Sequence, residues 1–258
     1  MRKQIAAAML AGLAMLAGGS ALADGMARGS IKDVPVAVPT WSGFYLGAGV
    51  GYGHLIAKNR YYENDDGEEF SSSYKGEGAA GGFGTVILGF DRQIRDRYVV
   101  GLFTEFDWSS MELSYQDTDT PQQTFRLDRT FSLGGRAGFL MTPSSLLFMT
   151  AGYSWSHGKS DGYFDIDTFV ENFPGVRKLN LNGAFVGLGM ETQLGRNLSL
   201  RGEVRYTMYQ DKTVNSFNGT FLGDPLTFSD RFEADLLTGR IALTYKFNRD
   251  EPHVGPIK

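Results

Sequence analysis

The chain is 258 residues long, with 34 glycines, 13% aromatic residues, no cysteine and a formal net charge of −4. Without cysteine there is no disulfide framework, thiolate metal site or thiol nucleophile. The acidic balance also lacks the basic footprint that nucleic-acid binding requires, so no nucleic-acid partner is expected.

Residues 1–23 read as a secretory signal peptide. Arg2 and Lys3 form the positive start, an apolar stretch runs from Ile5 to Ala17, and Ala21-Leu22-Ala23 offers small residues for cleavage. Beyond it no run of 18 apolar residues occurs, which excludes a helix bundle crossing a bilayer but not a barrel, whose alternating strands average out. Residues 24–40, with Pro35 and Pro39 and no periodicity, read as a flexible periplasmic N-terminal linker.

From Trp41 the pattern has period two. Phe44, Leu46, Ala48, Val50 and Tyr52 alternate with Gly43, Gly47, Gly49 and Gly51, broken only by Tyr45, which is a strand pattern. Similar segments recur at residues 41–54, 77–90, 98–110, 124–140, 146–156, 179–192, 198–209 and 232–247. The connections at 91–97, 141–145 and 193–197 are short, and those between the other pairs are long and polar. Such alternation is the asymmetry of an outer-membrane barrel, with tight periplasmic turns and long extracellular loops. The expected fold is therefore all-β, an eight-stranded antiparallel up-and-down transmembrane barrel over residues 41–247, followed by a tail at 248–258. An extra hairpin at 163–170 would raise the count to ten.

The seventh strand shows its two faces clearly. Leu198, Leu200, Val204, Tyr206 and Met208 share one side, and Ser199, Arg201, Glu203, Arg205, Thr207 and Tyr209 share the other. On the apolar faces, Phe44, Phe90, Tyr98, Phe139, Tyr245 and Phe247 fall near the short-turn ends, while Tyr52, Trp108, Trp155 and Tyr206 fall near the long-loop ends. Two aromatic rings bracketing aliphatic residues predict girdles at the two membrane interfaces. From Tyr98 to Trp108, at about 3.3 Å per residue and a tilt of about 40°, the rise is roughly 25 Å, the height of the apolar band.

Continuing the alternation puts Glu105, Asp107, Glu191 and Glu203 on the inner face with Arg136, Arg201, Arg205, Arg240 and Lys246. An eight-stranded interior is just wide enough to be filled by side chains. An unpaired buried charge costs several kcal/mol, so these groups are expected to pair in a structural network. The inward glycines Gly43, Gly47, Gly183, Gly187 and Gly189 are expected to leave volume unfilled, and a narrow ion path gated by the pairs is the alternative.

The segment Trp41-Ser42-Gly43-Phe44-Tyr45-Leu46-Gly47, the strand at 183–191, Leu198-Ser199-Leu200-Arg201-Gly202-Glu203-Val204-Arg205-Tyr206 and the closing Thr244-Tyr245-Lys246-Phe247 resemble the outer-membrane β-barrel family. The likeness is strongest to its alphaproteobacterial branch of OmpA-like, porin-family surface antigens. It covers residues 41–247, and the first and seventh strands are its most specific parts. The resemblance implies an eight-stranded OmpA-like barrel without a peptidoglycan-binding domain, abundant in the outer membrane, with structural, porin-like or haemin-binding roles in different members. It also implies contact with outer-membrane lipids and lipopolysaccharide and with the outer-membrane assembly machinery. Such barrels usually end at the aromatic residue which that machinery recognises, whereas here Phe247 is followed by residues 248–258.

No catalytic set emerges. There are three histidines: His54 ends the first strand, His157 lies at the long-loop end of the fifth near Ser156 and Ser160, and His253 is in the tail. A nucleophile needs a base oriented by a third group and donors for the oxyanion, and no such set is apparent. Accordingly no catalytic residue, cofactor or metal site is assigned, and the chain is read as no enzyme. The acidic residues Glu63, Asp65, Asp66, Glu68 and Glu69 do not follow the twelve-residue calcium pattern and read as a solvated loop. The glycine-rich stretch Gly78 to Gly84 precedes no phosphate-loop Lys-Ser/Thr pair and reads as close strand packing. The expected function is a structural, surface-exposed one. The alternatives are a narrow porin-like channel for ions or small solutes, capture of haemin or a host ligand by the extracellular loops, and a soluble carrier barrel.

Overall fold

A computed structural model of the chain describes residues 40–65, 68–75, 79–115, 123–161, 178–221 and 224–247. The expected signal peptide, the linker up to residue 39, the extra hairpin at 163–170, His253 and the tail lie outside the described residues. Ten strands follow in order: β1 (Gly43–Asp65), β2 (Glu68–Lys75), β3 (Ala80–Ile94), β4 (Tyr98–Tyr115), β5 (Gln123–Thr142), β6 (Ser145–Asp161), β7 (Lys178–Gln193), β8 (Leu198–Tyr209), β9 (Lys212–Phe221) and β10 (Asp224–Lys246).

The sheet order is β2-β1-β3-β4-β5-β6-β7-β8-β10-β9, and β1 also pairs with β10. β3 covers β1 from Gly43 to His54, and β2 covers it from Lys58 to Asp65. In the same way β8 covers β10 from Tyr245 to Asp235, and β9 takes over at Phe232. Thus β3 with β2, and β8 with β9, are two interrupted staves, and the ten segments build a closed antiparallel barrel of eight staves. Closure leaves no unpaired edge around the wall, which any sheet surrounded by lipid requires.

Several expected boundaries differ from the observed ones, most of them by the strands running longer. The segment at 55–76, read as a loop, continues β1 to Asp65 and returns as β2, and residues 212–231 likewise form β9 and the start of β10. The apolar period marks only the part of each strand that meets lipid, whereas backbone pairing continues beyond it, down to Asp65↔Leu226. At the other end β3 runs to Ile94, so the turn is only Arg95–Arg97, with Arg95 at φ 56°. Finally, the first strand starts at Gly43 rather than Trp41. Gly43 adopts φ 134° and turns the chain from the interior, where Trp41 lies fully buried, into the wall.

The inward glycines do not leave empty space. A Cβ on Gly189 would run into the Phe148 ring, one on Gly89 into Tyr45, one on Gly51 into Phe83, and one on Gly187 into Thr150 and Glu203. Large rings on one stave occupy the room opened by glycine on its neighbour, which is how a narrow barrel reaches interior packing density. Gly189→Leu is therefore expected to lower stability by about 1–3 kcal/mol through overpacking. Gly239→Leu, where a Cβ would meet nothing within 4 Å, should stay within about 0.5 kcal/mol. Urea unfolding of the refolded protein in lipid measures both.

Candidate functional site

Strict alternation of the wall strands brings the ionisable residues together inside. β4 supplies Glu105 and Asp107, β5 Arg136, β7 Glu191, β8 Arg201, Glu203 and Arg205, and β10 Arg240 and Lys246, and all nine are buried. A tenth, Asp91, falls in the expected turn at 91–97 but belongs to β3 and is fully buried. Its signal was available, since it continues the inward row of Ile87 and Gly89. With Asp91 the interior holds five acids and five bases among the described residues.

The groups pair in two layers. Toward the short turns, Arg136 grips Asp91 with Nε (2.7 Å to Oδ1) and with Nη2 to Oδ2, and reaches Glu191 Oε2 with Nη1 at 2.7 Å. Lys246 Nζ donates to Asp91 at 2.6 Å and to the Trp41 carbonyl at 2.8 Å, and Thr244 donates to Glu191. Toward the long connections, Glu203 accepts from Arg201 at 2.6 Å, from Arg205 Nε at 3.0 Å and from Thr150 at 2.8 Å. Arg205 also binds both oxygens of Glu105, and Arg240 bridges Glu105 and Asp107.

Each interior cation also lies over an aromatic ring. Arg136 faces Tyr45 at 4.8 Å, Arg201 faces Phe148 at 4.7 Å, Arg205 faces Phe185 at 4.2 Å, Arg240 faces Phe83 at 5.1 Å and Lys246 faces Trp41 at 4.7 Å. In a desolvated site such a contact contributes about 2 kcal/mol. The alternation marks Tyr45 only as a break in a glycine row and pairs none of these rings with a cation, because the partners lie on other strands.

Apolar layers close the network at both ends. Trp41, Val99, Leu140, Leu146 and Phe148 cluster at the short-turn end, and Leu55, Phe83, Met111, Leu127, Leu181 and Leu236 at the other. Trp41 is fastened there: its backbone N–H donates to Gln93 Oε1 at 2.9 Å and its ring N–H to the Pro143 carbonyl at 3.1 Å. Between the network and the second apolar layer lies a small cavity lined by Asp107, Thr130, Ser132, Ser154, Thr207 and Arg240, among others, with room for about one water.

The aromatic residues assigned to girdles face outward. Phe44, Phe90, Tyr98, Phe139, Tyr245 and Phe247 at the short-turn ends, and Tyr52, Trp108 and Trp155 at the other, are exposed, and Tyr206 is half-exposed. The aliphatic band between them, including Leu46, Leu88, Leu102, Leu133, Met149 and Ile241, is exposed as well.

The two described histidines do not assemble. His54 is on β1 and His157 on β6, four staves apart around an eight-stave wall. Ser156 is buried inside, bonded to Thr130 and to Tyr209, while His157 faces out and its Nδ1 meets Asn180 Oδ1 at 2.6 Å. The wall separates the two side chains, so they form no nucleophile–base pair.

Among solved structures, the outer membrane protein OprG of Pseudomonas aeruginosa aligns at 14% identity over 82% of this chain and 99% of its own, with a TM-score of 0.45. The outer membrane protease OmpT of Escherichia coli aligns at 11% identity over 79% and 97%, with a TM-score of 0.40. No protein-family model matches the sequence. A curated relative, the 22 kDa outer membrane protein of Rhizobium leguminosarum bv. viciae, is 30% identical over 153 residues, which span 55% of this chain and 67% of the relative. With a closed eight-stave wall, an exposed aliphatic band and that relative, the chain belongs to the outer-membrane β-barrel family represented by the Rhizobium 22 kDa protein.

Proposed function

We propose that the protein is a non-enzymatic structural barrel of the outer membrane with a sealed lumen, carrying the long connections between its staves on the cell surface. The observation that carries this reading is the filled cross-section: among the described residues, five buried acids are paired with five buried bases between two apolar layers. An ion crossing it would have to part buried pairs, each strongly costly to break. Recordings from refolded protein in planar bilayers are expected to show no reproducible, ion-selective steps, and such steps would overturn the reading.

A narrow porin-like path is the second reading. It is favoured by the small cavity beside Arg240, whose Nε has no hydrogen-bond partner among the described residues. The same recordings decide between the two. Joint capture of haemin by His54 and His157 has little support, because the histidines sit on opposite sides of the wall. The neighbours of such a barrel are membrane lipid and lipopolysaccharide. Assembly would proceed through the outer-membrane machinery acting on the closing strand with Tyr245 and Phe247. The chain contains no cysteine, so a Gln210→Cys variant, at an exposed position beyond β8, is expected to react with an impermeant thiol reagent on intact cells.

A further inference from the structure

The interior changes character between its ionic network and the apolar layer at the long-connection end. Small hydroxyl residues stand there in place of charges and rings. Thr130 bonds Ser156 and Ser132 bonds Ser154, each at 2.8 Å across β5 and β6, and Ser156 also bonds Tyr209 at 2.6 Å. These side chains satisfy one another. They are also short, and the room they leave is the cavity beside Arg240.

Three polar groups lining that cavity lack a partner. Arg240 directs Nη1 to Glu105 and Nη2 to Asp107 Oδ2, the latter at 3.5 Å, the longest ion pair described in the network. Its Nε has no hydrogen-bond partner among the described residues, and neither has Asp107 Oδ1 or the Thr238 hydroxyl. Thr85 stands opposite Asp107 on β3, yet its hydroxyl is unpartnered too. Arg240, Asp107 and Thr238 are each less than a tenth exposed. Buried donors and acceptors left unsatisfied lose their hydration for nothing in return, which is why folded proteins nearly always supply them with partners.

The site itself selects the partner. It has room for about one water-sized molecule. Arg240 Nε only donates and the Asp107 carboxylate only accepts, so the ligand must both accept and donate. Charge narrows the choice further. The described interior already balances five acids against five bases. A cation in the cavity would face Arg240 and Arg205, and an anion would face Asp107. Either ion would lose its hydration without a matching counter-charge.

We infer that this cavity is a binding site for a single water molecule, an integral member of the network. The water accepts from Arg240 Nε, donates to Asp107 Oδ1 and shares its remaining hydrogen bond with the Thr238 hydroxyl, bridging the long Arg240–Asp107 contact. This accounts for the unpartnered Arg240 Nε without a path through the lumen. It deepens the reading of the lumen as sealed, because a water enclosed between the ionic network and the apolar layer exchanges slowly.

Crystals of the refolded barrel grown with bromide in place of chloride test the site. One density peak is expected within about 3.2 Å of both Arg240 Nε and Asp107 Oδ1, with no anomalous bromide signal. An empty cavity, or bromide in it, would overturn the inference. In nanodiscs, the Arg240 Nε–H resonance should show a cross-peak at the water frequency with the sign of a long-lived contact, and Thr238→Leu, which fills the cavity, should abolish it. No such cross-peak in the wild type, or one that persists in Thr238→Leu, would overturn it as well. If that variant fails its heat-modifiability check, the crystal and the wild-type cross-peak decide by themselves. Conductance steps from the wild type would refute the seal yet leave the density peak in place, so the two failures are distinguishable.

Discussion

Glu203→Ala is expected to destabilise the barrel by about 3–5 kcal/mol, because it removes one partner from a buried ionic cluster and leaves cations behind in a dry interior. Glu203 accepts from Arg201 and Arg205 and from the Thr150 hydroxyl, and all three donors are buried. Arg205 would keep Glu105, but Arg201 would lose its only carboxylate among the described contacts. The comparison is Glu112→Ala on the outer surface, whose exposed pair with Arg126 should be worth less than about 1 kcal/mol. Urea titrations of both variants in lipid, with the heat-induced gel shift as the check on folding, measure the contrast. Similar losses at the two positions would mean that the interior is wet and screened rather than filled.

Trp41→Ala should cost a comparable amount, about 3–5 kcal/mol, by truncating a fully buried indole. Three further losses add to the cavity. Lys246 loses the ring beneath its ammonium, the Pro143 carbonyl loses a donor, and the apolar layer with Val99, Leu140 and Leu146 is opened. The Trp41 carbonyl remains, so its bond from Lys246 and the network above it can persist. The variant should therefore unfold at clearly lower urea yet still show no conductance steps. Steps appearing with Trp41→Ala alone would make this indole the seal, and would shift weight from the ionic network to the apolar layer.

The wall was legible because lipid imposes a strict demand on it. Every second residue from Phe44 to Tyr52, or from Leu198 to Met208, faces hydrocarbon, and period two follows from the pleat alone. The same parity indicated an inner position for Arg201, Glu203 and Arg205 before any pairing was known. Outside the bilayer no such demand operates, so β2 and the outer half of β1, with polar residues such as Glu63 and Glu68, read as a loop although their backbones pair. The interior was legible in charge but not in shape. A glycine in a row says that something approaches closely, not which ring does so.

Taken alone, the sequence determined that this is an alternating wall with an apolar outside, an ionic inside and short turns at one end. Those properties depend on each strand by itself. Only the tertiary structure decided that Asp91 balances the charge among the described inner residues, that each of the five inner cations described rests on a ring, and that Trp41 folds back under Lys246. These contacts join staves far apart in the chain, and their partners are set by the shear and closure of the barrel rather than by any local period.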